Sequence, residues 1–183
     1  GIALQIASIT FMLHLGMSNA ATVRIGQAKG RGDAQGMRDA GVTVIGISVV
    51  LALLAVAAFE LFPRQLVGLY LDATHPETPA IVELAAGLLF YAGLFQLMDA
   101  MQVIGLGLLR GVQDTRVPMI LAAISYWVVG MPVAYALAFV LELGPAGLWL
   151  GLVVGLSFAA VLLMRRFWRG FARGDWTPAP ATV

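Results

Sequence analysis

The chain is written as long apolar runs separated by short polar breaks. A helix that crosses a bilayer needs about 20 mostly apolar residues. Five stretches meet that requirement, at residues 3–23, 40–62, 81–109, 117–141 and 146–164. The first is the least apolar and carries Gln5, Ser8, Thr10, His14, Ser18 and Asn19. The second holds no charge until Glu60, and the third is long enough to tilt or overhang. These runs are apolar nearly all round, as helices in lipid are. They are too long and too continuous for the alternating segments of about 10 residues that build a membrane β-barrel. The pattern predicts an all-α fold, a polytopic transmembrane bundle of about five helices. Residues 64–71 read equally well as a short interfacial helix or as an ordinary loop, and no internal repeat is visible.

Composition strengthens this reading. Hydrophobic residues make up 60% of the chain and charged residues only 11%, with a mean hydropathy of +0.90. A soluble domain is about 45–50% apolar and about 25% charged, so a soluble fold could not hide this much apolar surface. With no cysteine, disulfides and Cys-based metal sites are excluded. No basic segment precedes the first apolar run, so the start does not read as a signal peptide. Beginning Gly1-Ile2-Ala3, the chain reads as a fragment whose front is missing. The end, Thr177-Pro178-Ala179-Pro180-Ala181, reads as a disordered Pro/Ala-rich tail.

Charge placement adds an orientation. Of the 11 basic residues, ten lie on alternate connections and the tail: Arg24, Lys29, Arg31, Arg38, Arg110, Arg116, Arg165, Arg166, Arg169 and Arg173. Arg64 alone lies on the other side, with Asp72 and Glu77. Basic loops stay inside. Loops 24–39 and 110–117 and the C-terminus are therefore expected in the cytoplasm, residue 1 outside, and the protein in the cell (inner) membrane. Residues 1–168 form the transmembrane unit and residues 169–183 a cytoplasmic tail expected to be disordered.

One residue interrupts the apolar spans most sharply. Asp99 is the acidic residue well inside a span, about 16 Å from its basic end at about 1.5 Å per residue. A carboxylate there costs about 2.5–3.5 kcal/mol on insertion scales and normally faces a bundle interior or a wet cavity. It can couple an ion or proton, bind a cationic substrate, or hold a structural hydrogen bond. Gln96 and Gln102, three residues either side, fall on its face. Phe95, Met98 and Met101 surround that stripe with adaptable apolar surface, which suits large lipophilic cations and also plain helix packing. His14 sits mid-span in the first helix, where a hydrogen bond to a neighbouring helix is the favoured reading over a role in carrying protons. Pro118 opens the fourth span, where proline is tolerated. Pro132 is internal and should kink or break the helix, either as a hinge or as a static bend. Gly151 to Gly155 is a GxxxG, a weak signal in a chain with 21 glycines.

Several apparent motifs carry no chemistry. Gly30-Arg31-Gly32-Asp33 matches an aspartyl-protease pattern but lies in a polar loop, and a second intramembrane Asp is lacking. Its Arg-Gly-Asp tripeptide falls on the inner side, away from adhesion partners. Gly105, Gly107 and Gly111 do not have dinucleotide spacing and follow no strand. There is no nucleophile–base pair, phosphate loop or nucleic-acid motif, so the chain does not read as an enzyme and needs no cofactor.

Four blocks together resemble the MATE (multidrug and toxic compound extrusion) family, NorM-like branch. Arg24-Ile25-Gly26-Gln27 with Gly30-Arg31-Gly32-Asp33 resembles the loop after that family's eighth helix. Phe95-Gln96-Leu97-Met98-Asp99-Ala100-Met101-Gln102-Val103 with Leu109-Arg110-Gly111 resembles its tenth. Ser125-Tyr126-Trp127-Val128-Val129-Gly130-Met131-Pro132 resembles its eleventh, and Gly147-Leu148-Trp149-Leu150-Gly151 the start of its twelfth. The resemblance implies family helices eight to twelve, part of the C-lobe of a twelve-helix antiporter that exports cationic drugs against Na+ or H+. It implies a missing N-terminal lobe as partner and an inactive fragment when alone. It places Asp99 on the C-lobe carboxylate of cation coupling, a candidate Na+ ligand. Phe95 stands where the sodium-type pattern has Tyr, which removes an oxygen ligand, and His14 replaces a proline common in the eighth helix. The alternatives are a related lipid-linked oligosaccharide flippase, which should carry mid-span cations that are lacking here, and a membrane scaffold that transports nothing.

Overall fold

The computed structural model describes residues 2–70 and 78–176, with side chains from 5–70 and 80–176. Asp72, Glu77, residue 1 and the Pro/Ala-rich tail lie outside the described residues. Helix α1 is Ile2–Gly30, α2 Ala34–Leu61, α3 Pro63–Gly68 and α4 Thr78–Gly111. Helix α5, Arg116–Ile124, continues through a wide-turn stretch Ser125–Gly130 into α6, Met131–Tyr135, and a second wide stretch Ala136–Val140. Helix α7 is Gly144–Arg173. Among the described residues, five helical stretches, with α5 to Val140 counted as one, are long and apolar enough to cross a membrane. The all-helical, multi-span architecture is as the hydropathy pattern predicts.

The helix ends differ from the hydropathy boundaries. Helix α1 runs on to Gly30, so Arg24 and Lys29 ride on its last turns rather than in a loop. Helix α7 runs to Arg173, so residues 169–173, expected to belong to a disordered tail, are helical. Backbone hydrogen bonds hold a helix equally well outside lipid, and the apolar signal stops where the charges begin. The turns explain where the helices do stop. Gly32 sits at φ 68° and Asp33 N–H bonds back to Ala28 O at 2.9 Å. Asp33 then caps α2 by accepting from Gly36 N–H at 2.7 Å. Gly30-Arg31-Gly32-Asp33 is thus a helix stop followed by a helix start. After α7, Gly174 at φ 75° does the same, and Trp176 Nε1–H donates to Phe167 O at 2.9 Å. Pro63–Gly68 is a short helix, with Val67 buried and Arg64 paired with Glu83 at 2.8 Å on the surface, and residue 71 lies outside the described residues.

Helix α4 is the hub and packs against α1, α2, α3 and α7. Part of the polarity of α1 faces it, while Gln5, Ser8 and Asn19 are exposed. Ser18 Oγ donates to Val103 O at 2.8 Å, Thr22 Oγ1 to Gly107 O at 3.0 Å and Lys29 Nζ to Val112 O at 2.6 Å. One apolar cluster, with Ile25, Met37, Leu108 and Phe167, fills the basic end of the bundle. A second, with Ile6, Phe59, Leu89 and Trp149, fills the other. Arg166 Nε donates to Asp114 Oδ2 at 2.5 Å and ties the turn after α4 to α7.

The fourth span meets α7 through small residues on both sides. A methyl added at Gly147 would meet Ala138 N at 2.6 Å, one at Gly151 would meet the Cα and Cβ of Ala134, and one at Gly155 would meet Gly130 Cα at 3.0 Å. Two four-residue series, Gly147/Gly151/Gly155 and Gly130/Ala134/Ala138, therefore interlock antiparallel. Pro132 lies on this same span and is exposed. It does not break the helix. A proline lacks an N–H and presses on the carbonyl four residues back. The preceding stretch widens instead, and Met131 N–H reaches Tyr126 O, five residues back.

Candidate functional site at the middle of α4

Three polar side chains of α4 are buried: Gln96 at 0% exposure, Asp99 at 6% and Gln102 at 5%. Their one-face spacing is the helical i, i+3 repeat, but they do not share one environment. Gln96 turns toward α1, where its Nε2 lies 3.3 Å from His14 Nδ1. Gln102 opens on a cleft of about 320 Å³ with Arg110, Thr115, Pro118 and Tyr126. Asp99 lies between them along the helix, with His14 of α1 and Tyr126 of the fourth span within electrostatic range.

Among the described residues, the buried side-chain polar atoms without a hydrogen-bond partner are Ser48 Oγ, Gln96 Oε1 and Asp99 Oδ2. An unsatisfied buried acceptor costs about 1–3 kcal/mol. Interiors rarely tolerate such atoms without a reason. Two of these belong to the α4 stripe. The third belongs to the α2 residue whose backbone carbonyl faces His14. Among the described residues no group of three His, Cys, Asp or Glu is present. A cation here would be held by one carboxylate and neutral oxygens, the donor chemistry of hard cations.

Phe95 and Met98 are half-buried. Phe95 packs edge to face on Trp149, with centroids 5.4 Å apart and an interplanar angle of 86°. It also lines a groove of about 370 Å³ with Tyr126, Trp127, Met131, Leu152 and Leu156. Aromatic faces in such a groove attract organic cations. Pro132 is not among the groove's lining residues, although its neighbour Met131 is. Tyr126 therefore borders both the aromatic groove and the Gln102 cleft.

His14 is the site residue that spacing could not find. It is fully buried, with Nδ1 2.9 Å from Thr10 O and Nε2 3.2 Å from Ser48 O. Gln96 lies 82 residues away along the chain, and no periodicity connects them. The sequence marked it as a mid-span histidine and as a departure from the proline common at that position, and neither signal pointed to Gln96.

A model of the MatE family matches residues 1–136. A probable multidrug resistance protein NorM of Rhizobium meliloti (strain 1021) is 48% identical over 98% of the chain and 38% of its own length. One from Agrobacterium fabrum is 46% identical over 91% of the chain and 36% of its own length. The chain thus spans little more than a third of these relatives. Among solved structures, the inward-facing conformation of a multidrug resistance MATE family transporter of the MOP superfamily aligns with TM-score 0.81 and 22% identity, over 97% of this chain and 40% of that one. The outward-facing conformation of a transporter described in the same words aligns with TM-score 0.76 and 22% identity, over 96% and 38%.

Proposed function

The chain belongs to the MatE family, and from that premise we propose that it supplies the ion-coupling part of a multidrug antiporter exchanging cationic xenobiotics for Na+ or H+. The observation that carries this is Asp99, a buried carboxylate with one oxygen unpartnered, beside an unpartnered oxygen of Gln96. A lone carboxylate in lipid is costly unless it is paired, hydrated or protonated. One negative charge that can take a proton, a sodium ion or an organic cation makes those ligands compete. That competition is the physical basis of exchange. The Phe95–Tyr126–Trp127 groove nearby offers apolar and aromatic surface for the lipophilic part of a substrate. The test is ion-driven ethidium efflux by the full-length transporter with and without the Asp99 carboxyl.

Secondary transporters bind at the interface of their repeats, and the chain covers only 38% and 36% of the two NorM relatives. Residues 1–183 expressed alone are therefore expected to leave ethidium efflux at the empty-vector level. Robust efflux from these residues would contradict a pathway shared with a second lobe.

We also propose that the ends of α1, α4 and α7 face the cytoplasm, since ten of 11 basic residues gather there. Single cysteines at Gln35 and Thr115, both exposed, should resist an impermeant thiol reagent in intact cells. One at Gln65 on α3 should react. The opposite labelling pattern would invert the topology.

A further inference from the structure

The basic end of the contact between the fourth span and α7 leaves a cleft. The close interlock of the two helices ends at Gly130 and Gly155. Leu162 lies seven residues beyond Gly155, about 10 Å along the helix. There Val117 and Leu121 of α5 and Leu162 of α7 wall a cleft of about 280 Å³. Arg165, Arg166, Arg169 and Arg173 line the rest of it, with Asp175 and Trp176.

The positive charge in this cleft is not balanced by the chain. Arg166 is taken up by Asp114. Arg165, Arg169 and Arg173 are exposed and have no ion-pair partner among the described residues. Spaced four apart, they stack along one face of α7, where like charges disfavour the helix unless an anion comes between them. Asp175 is the carboxylate that shares the lining. With Asp114 on Arg166, it leaves two positive charges without a counterpart. The other cleft at this end, between α1 and α2, is balanced. Arg24 and Arg31 share it with Asp39, and Arg31 pairs with Asp33.

We propose that this cleft holds the headgroup of an anionic phospholipid from the adjoining leaflet. The lipid phosphate accepts charge-assisted hydrogen bonds from the guanidinium donors, and basic pockets between membrane helices suit such headgroups. The apolar surface decides between a lipid and a free phosphate. Leu121 and Leu162 lie further into their spans than the arginines. Around them Met119, Ile120 and Val161 are 67%, 53% and 62% exposed. Acyl chains hanging from a phosphate at the arginines cover that surface, and an inorganic anion would leave it bare. Trp176 is half-buried, with its indole N–H on Phe167 O. An aromatic side chain of this kind, apolar in body and polar at one edge, suits the headgroup level of a membrane. Bound there, the lipid joins α5 to α7 beyond the end of their glycine interlock.

The test is native mass spectrometry of the purified full-length transporter, washed in detergent and then given phosphatidylglycerol, cardiolipin or phosphatidylcholine. The wild type should retain one phosphatidylglycerol or one cardiolipin and release phosphatidylcholine. Arg169→Gln combined with Arg173→Gln should weaken that retention by about 25-fold, about fivefold for each guanidinium removed. Val117→Trp keeps every charge but fills the cleft, and it should lose the lipid as well. Arg24→Gln combined with Arg38→Gln removes two charges from the same end, outside the cleft, and should keep it. Glycerol phosphate in excess should not displace the lipid. Retention by Val117→Trp, or equal loss in the variant at Arg24 and Arg38, would mean that the lipid answers to diffuse surface charge, and would overturn the proposal. Equal retention of phosphatidylcholine, or displacement by glycerol phosphate, would overturn it too. So would a wild type that keeps no lipid, since the rest of the transporter would then cover the cleft.

Discussion

Gly151→Val should cost the protein its folded state, or most of its stability in detergent. The residue sits at the centre of the contact between α7 and the fourth span, and even a methyl there would run into the Cα and Cβ of Ala134. Ala134 belongs to the backbone of the facing helix, so no rotamer change can make room. The helices must separate, and Gly147 against Ala138 and Gly155 against Gly130 would lose contact with it. Overpacking a well-filled core typically costs about 1–3 kcal/mol, and a clash with backbone belongs at the upper end. In membranes the loss is serious because close packing, with little hydrophobic drive, holds helices together. Gly46→Val is the control, since nothing lies within 4 Å of a methyl there. Fluorescence-detected size exclusion after a heating series should show Gly151→Val aggregating well before the wild type and Gly46→Val close to it. Equal stability of the two variants would mean that the interlocked contact does not hold the bundle together.

The contact at Gly151 shows how far the sequence could be read. Gly151 and Gly155 form a visible GxxxG, yet 21 glycines make such a pattern unremarkable on its own. What gives it meaning is the matching series Gly130, Ala134 and Ala138 on the facing helix. Which helix faces which is not written in a linear pattern. The five spans were legible because a lipid-facing surface demands apolar residues throughout. Their ends were not, because Arg24 and Arg173 continue a helix as well as any residue does. Pro132 gave a correct warning of irregularity, though the helix does not break there. The missing N–H is accommodated by a wider turn rather than a break.

The candidate site divides in the same way. Asp99 stood out because a mid-span carboxylate is expensive. Gln96 and Gln102 followed from helical spacing, and both are buried. The structure sends them to different neighbours, one to His14 and one to the Tyr126 cleft. Spacing on one helix says which residues share a face and nothing about the other helices that the face meets.

Asp99→Asn in the full-length transporter should insert and express normally and lose ion-driven efflux. Asparagine keeps the size of the side chain and its hydrogen-bonding capacity, so the bundle has no reason to unfold. It also removes a buried charge and so relieves the cost of placing one in lipid. What it cannot do is exchange a proton or hold a cation by charge. If coupling accounts for about 1–3 kcal/mol between the two ligands, its loss removes a roughly 5- to 150-fold effect of each on the other's affinity. Asp99→Glu keeps the charge on a longer stem and should retain part of the activity. Cells carrying Asp99→Asn at the wild-type expression level should accumulate ethidium nearly as the empty vector does.

Cellular efflux mixes drive, substrate binding and expression, and reconstitution separates them. The decisive measurement is ethidium movement in proteoliposomes holding equal amounts of wild-type and Asp99→Asn transporter, with sodium and proton gradients imposed one at a time. The wild type should respond to at least one gradient, and Asp99→Asn to neither. If Asp99→Asn is driven by the same gradient at the wild-type rate, Asp99 is a packing residue and the coupling account is wrong.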